Sequence, residues 1–207
     1  MKLFYAFLCL AMLALSPLTA QVRMVSVDPA NQHITIKNFG AATDISSYRL
    51  CALFEYANLN SMFVSIVSGD YALLTDEEVT IQWNASTGFN TTASDIGLYL
   101  AGNSFSNPSL MVDFIQYGGG GLGRENIAVS AMLWVQGTFL TGSGPWVYNG
   151  TGTENGVNFW GAAAISGCTA LGACNYDVNA TEDDGSCLYI GFPCDDGNPQ
   201  TIDFING

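Results

Sequence analysis

Basic side chains are scarce in this chain. Its 207 residues include five Lys and Arg and one His against 18 Asp and Glu, a formal net charge of −13 at pH 7. Because so acidic a surface repels phosphate backbones, we expect no nucleic acid partner. The single histidine, His33, excludes blue-copper sites, which need two histidines. Its place in a predicted hairpin favours a structural role over that of a general base.

Long apolar segments are absent beyond the start of the chain. Lys2 is followed by an apolar run from Leu3 to Leu15, and Leu18-Thr19-Ala20 ends in a small residue. This pattern predicts a secretory signal peptide over residues 1–20. The run is shorter than the ~20 residues of a spanning helix. We therefore expect an exported mature chain beginning at Gln21, without a transmembrane span; the alternative is an uncleaved N-terminal anchor.

Helical periodicity is also missing, and strand-like alternation takes its place. Gly, Asn, Ser, Thr or Pro interrupts each gap between the alternating segments. Roughly eight or nine short strands over about 145 residues predict an all-β antiparallel sandwich or barrel over residues 21–165. The predicted strands are 22–27, 32–37, 48–54, 62–67, 78–83, 96–100, 110–117 and 127–135, with short late candidates at 147–148 and 157–160.

Several stretches resemble lamin tail domains. "ITIKNFGAATDISSYRL" (34–50) matches a strand ending in x-N-x-G followed by an Asp-Ile-Ser loop, and "LLTDEEVTIQWN" (73–84) matches the next turn and strand. "SDIGLYLAGN" (94–103) and "MVDFIQYG" (111–118) resemble a later strand pair. The resemblance implies an immunoglobulin-like antiparallel β-sandwich that serves as an interaction or architectural module, with no catalytic residues.

The cysteines divide between the body and the C-terminal segment. Cys51 stands alone, whereas four others lie in the last 40 residues. In an exported chain we expect disulfides among Cys168, Cys174, Cys187 and Cys194, with three pairings open. A loop of 19 positions such as 168 to 187 would contribute about 3 kcal/mol of stability. Zinc is disfavoured because no histidine lies nearby and no CxxC pair occurs.

The stretch "GCTALGACNYDVNATEDDGSC" (167–187) resembles a short repeat of secreted and surface proteins of marine Bacteroidetes, and "CDDGNPQTID" (194–203) resembles the unit that follows it. Such repeats lie between a folded domain and a C-terminal sorting domain. The resemblance therefore implies a Cys/Asp-rich repeat segment over residues 166–207. We expect this segment to be truncated and the chain to be part of a longer protein.

Oxygen-bearing side chains recur every second residue from Asp177 to Asp183, and a further cluster of them follows the repeat. Calcium takes about six to eight oxygen ligands, so the spacing predicts a calcium site. The pattern is not an EF-hand, since the twelfth position is Leu188. The alternative is a solvated acidic turn held by disulfides. The candidate ligands are Asp177, Asn179, Thr181, Asp183 and Asp184, with a second cluster of Asp195, Asp196, Asn198 and Asp203.

The segment "YGGGGLGRE" (117–125) contains the spacing of a dinucleotide-binding fingerprint. No helix and no βαβ unit is predicted around it, so we reject that interpretation and expect a flexible hairpin turn. We expect Arg124, which follows the glycines, to pair with Asp113 or Glu125.

Function is predicted to be non-catalytic: adhesion or interaction at the cell surface or in the extracellular space, with an extracellular protein or glycan as partner. One alternative is a carbohydrate-binding module, because aromatic residues concentrate late in the body, although core packing is their default role. These residues are Trp134, Trp146, Tyr148 and Trp160. A more remote alternative is a secreted carboxylate-based hydrolase; the densest acidic run in the body is Asp76-Glu77-Glu78.

Overall fold

The computed structural model describes residues 21–84 and 88–189. The predicted signal peptide, Cys194 and the second acidic cluster lie outside them. In chain order the strands are β1 (Val22–Asp28), β2 (His33–Asn38), β3 (Thr43–Asp44), β4 (Arg49–Ala52), β5 (Glu55–Asn58), β6 (Val64–Ser68), β7 (Ala72–Leu73), β8 (Glu78–Trp83), β9 (Ser94–Tyr99), β10 (Met111–Tyr117), β11 (Trp146–Tyr148), β12 (Trp160–Ala162), β13 (Ser166–Gly167) and β14 (Glu182–Asp183). Within the described residues, helical structure is limited to α1 (Glu125–Ser130) and the 3-10 turns Pro108–Leu110 and Val157–Phe159.

Two antiparallel sheets form the body. A six-stranded sheet has the order β12-β11-β1-β2-β8-β6, and a four-stranded sheet has the order β10-β9-β4-β5. One cluster of buried apolar residues draws from both sheets, so the sheets share a hydrophobic core. The prediction of an all-β antiparallel fold is confirmed.

Sequence alternation explains the central strands. Along β2, Ile34 and Ile36 are fully buried while the side chains between them are partly exposed; along β8, Val79, Ile81 and Trp83 are buried in the same way. Successive strand residues point to opposite faces, so this period of two places one face of each strand in the core.

The predicted strand over 127–135 is wrong. Residues 125–130 form helix α1, which buries Ile127 and Ala128. Six residues are too few for a helical period to show in the sequence. The glycine-rich segment is consequently not a hairpin turn: it connects β10 to α1. Although a short helix does follow these glycines, β10 pairs antiparallel with β9, so the parallel unit of a dinucleotide-binding fold is absent from the described residues.

The C-terminal repeat is ordered around a disulfide between Cys168 and Cys187, and Cys174 is disulfide-bonded as well. Strands β13 and β14 pair in parallel, and the Asp177 N–H donates to the Cys168 carbonyl at 3.0 Å. The disulfide prediction is confirmed for the 168–187 pair. In the described part of the chain, no helix has the length and apolarity to span a membrane.

Candidate interaction surface

The predicted calcium ligands lie in tight turns of the repeat. Asp177 Oδ1 accepts from the Asn179 N–H at 2.8 Å, and Asp183 and Asp184 accept from the N–H groups two residues later at 3.0 and 2.9 Å. Thr181 Oγ1 accepts from the Ile165 N–H. No group of three His, Cys, Asp or Glu side chains suited to a metal occurs among the described residues. Calcium binding stays a prediction, because the second cluster lies outside them.

The late aromatic residues lie in the core. Trp134, Trp146, Tyr148 and Trp160 are exposed by only 2–6%. The Trp146 ring packs on Tyr117 with centroids 4.4 Å apart, and Tyr148 and Trp160 meet edge to face at 5.8 Å. Such contacts stabilise the core. Aromatic rings available at the surface must therefore be sought elsewhere.

Exposed apolar side chains concentrate between residues 54 and 67, in and around the end strands β5 and β6. Met62 is 85% exposed, and the other members are between 43% and 54% exposed. Exposed apolar groups gathered in one place mark interaction sites, whereas isolated ones carry no meaning. We call this set the edge surface; it consists of Phe54, Tyr56, Met62, Phe63, Ile66 and Val67.

The edge surface is free of charge over a long stretch. No Asp, Glu, Lys or Arg occurs from Tyr56 to Gly69, although the whole chain has a net charge of −13. Strand β6, with the sequence VSIVS, ends the six-stranded sheet. Proteins commonly protect such edges with charged residues or proline. The absence of that protection indicates a surface suited to contact.

A strained hairpin turn presents Phe54. Ala52 pairs with Glu55, so Leu53 and Phe54 form a two-residue loop, and both have positive φ values of 46° and 72°. Type I′ hairpin turns require this backbone and favour Asn-Gly, because a Cβ atom comes too close to the carbonyl oxygen in the left-handed region. Strained backbone of this kind clusters at functional sites.

The buried Asp95 side chain holds this turn by a hydrogen bond to its backbone. Its Oδ1 accepts from the Leu53 N–H at 2.9 Å and its Oδ2 from the Arg124 N–H at 2.7 Å. Burial raises the pKa of Asp95, whereas these backbone donors lower it. The carboxylate thus joins the β4–β5 turn to the loop that precedes α1.

Beside the turn, two arginines surround a pair of stacked rings. Tyr56 and Phe105 stack with centroids 4.3 Å apart. Arg124 Nη2 donates to Tyr56 Oη at 2.6 Å, and its Cζ lies 5.0 Å from the Phe54 ring centroid. Arg49 Cζ lies 4.0 Å from the Phe105 centroid. The expectation that Arg124 pairs with Asp113 or Glu125 is wrong, since Arg23 binds Asp113 and Gln116 donates to Glu125.

A shallow groove of about 180 Å³ opens between the two sheet edges. Tyr56 and Phe105 form part of its wall, and Phe63 approaches from the start of β6. Asn58 and Ser61 add an amide and a hydroxyl group. Comparisons with protein-family models, curated proteins and solved structures found no match. Function is therefore inferred from the chemistry of this surface.

Sequence reasoning missed this surface. The strand predicted over 48–54 includes Phe54, but this residue lies in the turn after β4. The uncharged run from Tyr56 to Gly69 was the available signal, and it becomes informative only when β5 and β6 are seen to end their sheets.

Proposed function

We propose that this protein is a non-catalytic interaction or adhesion module that acts outside the cell and binds its partner through the edge surface. The observation that carries the proposal is the exposure of six large apolar side chains at two sheet ends. Exposure on this scale at neighbouring positions favours a contact surface with a second molecule.

A scaffold role for the body is supported by its buried carboxylates. Asp95 and Asp113 accept backbone N–H groups, and Glu125 accepts from Gln116 and from the Gly137 N–H. Their oxygens therefore hold loops and strands together. The two antiparallel sheets with a common core, together with the lamin-tail-like motifs, support an immunoglobulin-like sandwich as that scaffold.

An extracellular location is supported by the Cys168–Cys187 disulfide, because disulfides persist in oxidising compartments. The signal-peptide pattern in residues 1–20 agrees with it. We propose further that the repeat binds calcium, with ligands drawn from both acidic clusters. Calorimetric titration of the oxidised chain, with the double variant Asp183→Ala/Asp184→Ala as control, tests this: heat that is lost in the variant supports it, and equal heat refutes it.

Bead adhesion tests the proposed function. Fluorescent beads coated with oxidised chain 21–207 are applied to a bacterial biofilm matrix, and retained beads are counted. Met62→Asp together with Val67→Asp should reduce retention about tenfold, as expected for central contact residues. Met132→Asp is the matched control, because Met132 is 84% exposed but lies outside the edge surface. Equal retention of all three proteins would refute the proposal.

A further inference from the structure

The basic residues of the described chain fall into two classes. Arg23 pairs with Asp113 at 2.7 Å, and Lys37 lies within 4 Å of Asp76 and Glu78. No such carboxylate partner accompanies Arg49 or Arg124 among the described residues. In a chain with 18 acidic residues, these two cations lie outside the ion pairs of the described residues, although the charge of Arg124 also acts on the buried Asp95. Both cations flank the same stacked aromatic pair, Tyr56 and Phe105.

Arg49 is a nearly buried cation with unused donors. It is 8% exposed, and its Nε and Nη2 atoms have no hydrogen-bond partner in the described structure. A buried charge without a counter-ion is unfavourable, and stacking on Phe105 offsets this only in part. Because Arg49 Cζ lies 4.0 Å from the ring centroid of Phe105, which lines the groove, its positive charge lies close to that groove.

Arg124 is the more accessible of the two. Its Nη1 and Nη2 each donate to one hydroxyl, of Ser106 and Tyr56 respectively. A guanidinium carries five N–H groups, so donors remain after the bonds to Ser106, Tyr56 and Cys51. Paired donors of this kind match a carboxylate in both geometry and charge.

The groove beside these arginines has the chemistry of a sugar site. Tyr56 and Phe63 line the groove and are 43% and 48% exposed, and exposed aromatic side chains suit the apolar side of a pyranose. Asn58 and Ser61 offer hydrogen-bonding groups for hydroxyls. Because the chain as a whole is strongly acidic, a dense polyanion would be repelled, whereas a single carboxylate reaches the local positive charge.

We propose that this groove binds a glycan with isolated acidic sugars, the uronate ring stacking on Tyr56 and Phe63 and its carboxylate bound by Arg124. The proposal rests on the proposed function and names the ligand class for one part of the edge surface. It assigns a specificity role to Arg124 and an electrostatic role to Arg49.

The test is an NMR titration of the oxidised chain with methyl glucuronide and with methyl glucoside, which differ at the carboxylate. Shifts at Tyr56, Phe63 and the Arg124 side chain are expected with the glucuronide, with affinity about tenfold or more above the glucoside. Arg124→Gln should remove that preference. Lys37→Gln is the matched control, since Lys37 already has carboxylate partners. Tyr56→Ala should weaken both sugars, and retained chemical-shift dispersion shows that each variant folds.

Three results would overturn the inference: equal affinity for the two sugars, no shifts at the groove, or tighter binding of a glutamate tripeptide than of the glucuronide. The bead adhesion experiment distinguishes a failure of the acidic-glycan inference from a failure of the proposed function. Suppose that adhesion is lost in Met62→Asp/Val67→Asp but retained in Arg124→Gln, and that the chain shows no preference between the two sugars. The proposed interaction module would then stand, and the acidic glycan would be refuted as its ligand.

Discussion

Arg23 Nη2 lies 2.7 Å from Asp113 Oδ1, and the two side chains are 6% and 1% exposed. The pair joins β1 of one sheet to β10 of the other. Asp113 Oδ2 also accepts the Met24 N–H at 2.8 Å, so the carboxylate ties both the side chain and the backbone of β1 to β10. Burial raises the pKa of Asp113, and the charge of Arg23 opposes that effect.

Removing this carboxylate should strongly destabilise the fold. Asp113→Asn leaves Arg23 buried without its counter-ion, and we expect a loss of about 3–5 kcal/mol in the free energy of unfolding. Urea denaturation measures it. Glu78→Gln is the control, because the exposed Glu78–Lys37 pair should contribute less than about 1 kcal/mol. A similar loss in both variants would contradict a special role for the buried pair.

Substitutions that relieve the strain of the β4–β5 turn should raise stability, and loss of the Phe54 ring should weaken binding. Leu53→Asn/Phe54→Gly supplies residues that accept positive φ, and we expect a gain of about 1–2 kcal/mol by thermal unfolding. Bead adhesion should fall, because the Phe54 ring is lost. Leu53→Asn alone should gain stability while adhesion is kept. Undiminished adhesion of the double variant would show that Phe54 takes no part in contact.

Alanine substitutions at two neighbouring glycines after β10 should differ sharply in their effect on stability. Gly118 has φ +74°, and a Cβ there would lie 2.1 Å from the Thr92 carbonyl oxygen; at Gly119 nothing lies within 4 Å of such an atom. Gly118→Ala should therefore destabilise the chain by about 1–3 kcal/mol, and Gly119→Ala should change stability by less than about 0.5 kcal/mol. Denaturant midpoints of the two variants make the comparison. Equal midpoints would refute it.

Glu154 should make the stability of the fold depend on pH. Hydrogen bonds from the side chain and backbone of Thr151 lower the pKa of Glu154 from 4.5 to about 2. A lowered pKa in the folded state means that its contribution is present above about pH 4.5 and is lost as the pH falls toward about 2. Melting temperatures measured from pH 6 to pH 2 should fall more for the native chain than for Glu154→Gln. Parallel curves would contradict this.

The disulfide of the repeat should act locally. The variant Cys168→Ser/Cys187→Ser removes the disulfide, which joins residues 19 positions apart. The folded form of this segment should lose about 3 kcal/mol of stability. Hydrogen exchange should then quicken at residues 165–189. The amides of β2 and β8 serve as an internal control and should keep their protection. Uniform loss of protection would show that the repeat supports the body.

How much the sequence predicts depends on how each element is stabilised. Strands β2 and β8 were predicted because one face of each is buried, and burial imposes a period of two. Strand β5 was not, since three of its four residues are exposed and its turn carries Leu-Phe in place of Asn-Gly. Helix α1 is short and held by tertiary contacts of Ile127 and Ala128.

The residues around the groove likewise come together only through long-range contacts in the chain. Arg49, Phe105 and Arg124 are far apart in the chain and meet only when the loop between β9 and β10 folds over β4 and β5. Local pattern contains no such information. The Cys168–Cys187 pairing was one of several open choices for the same reason.

Cys51 is a free thiol with no exposure, and burial raises its pKa to about 11. At neutral pH such a thiol is almost entirely protonated, and it is the thiolate that attacks disulfides. In the folded chain Cys51 is therefore withheld from thiol–disulfide exchange with the cysteines of the repeat. Burial of Cys51 in the body thus keeps a competing thiol away from the disulfides of the repeat.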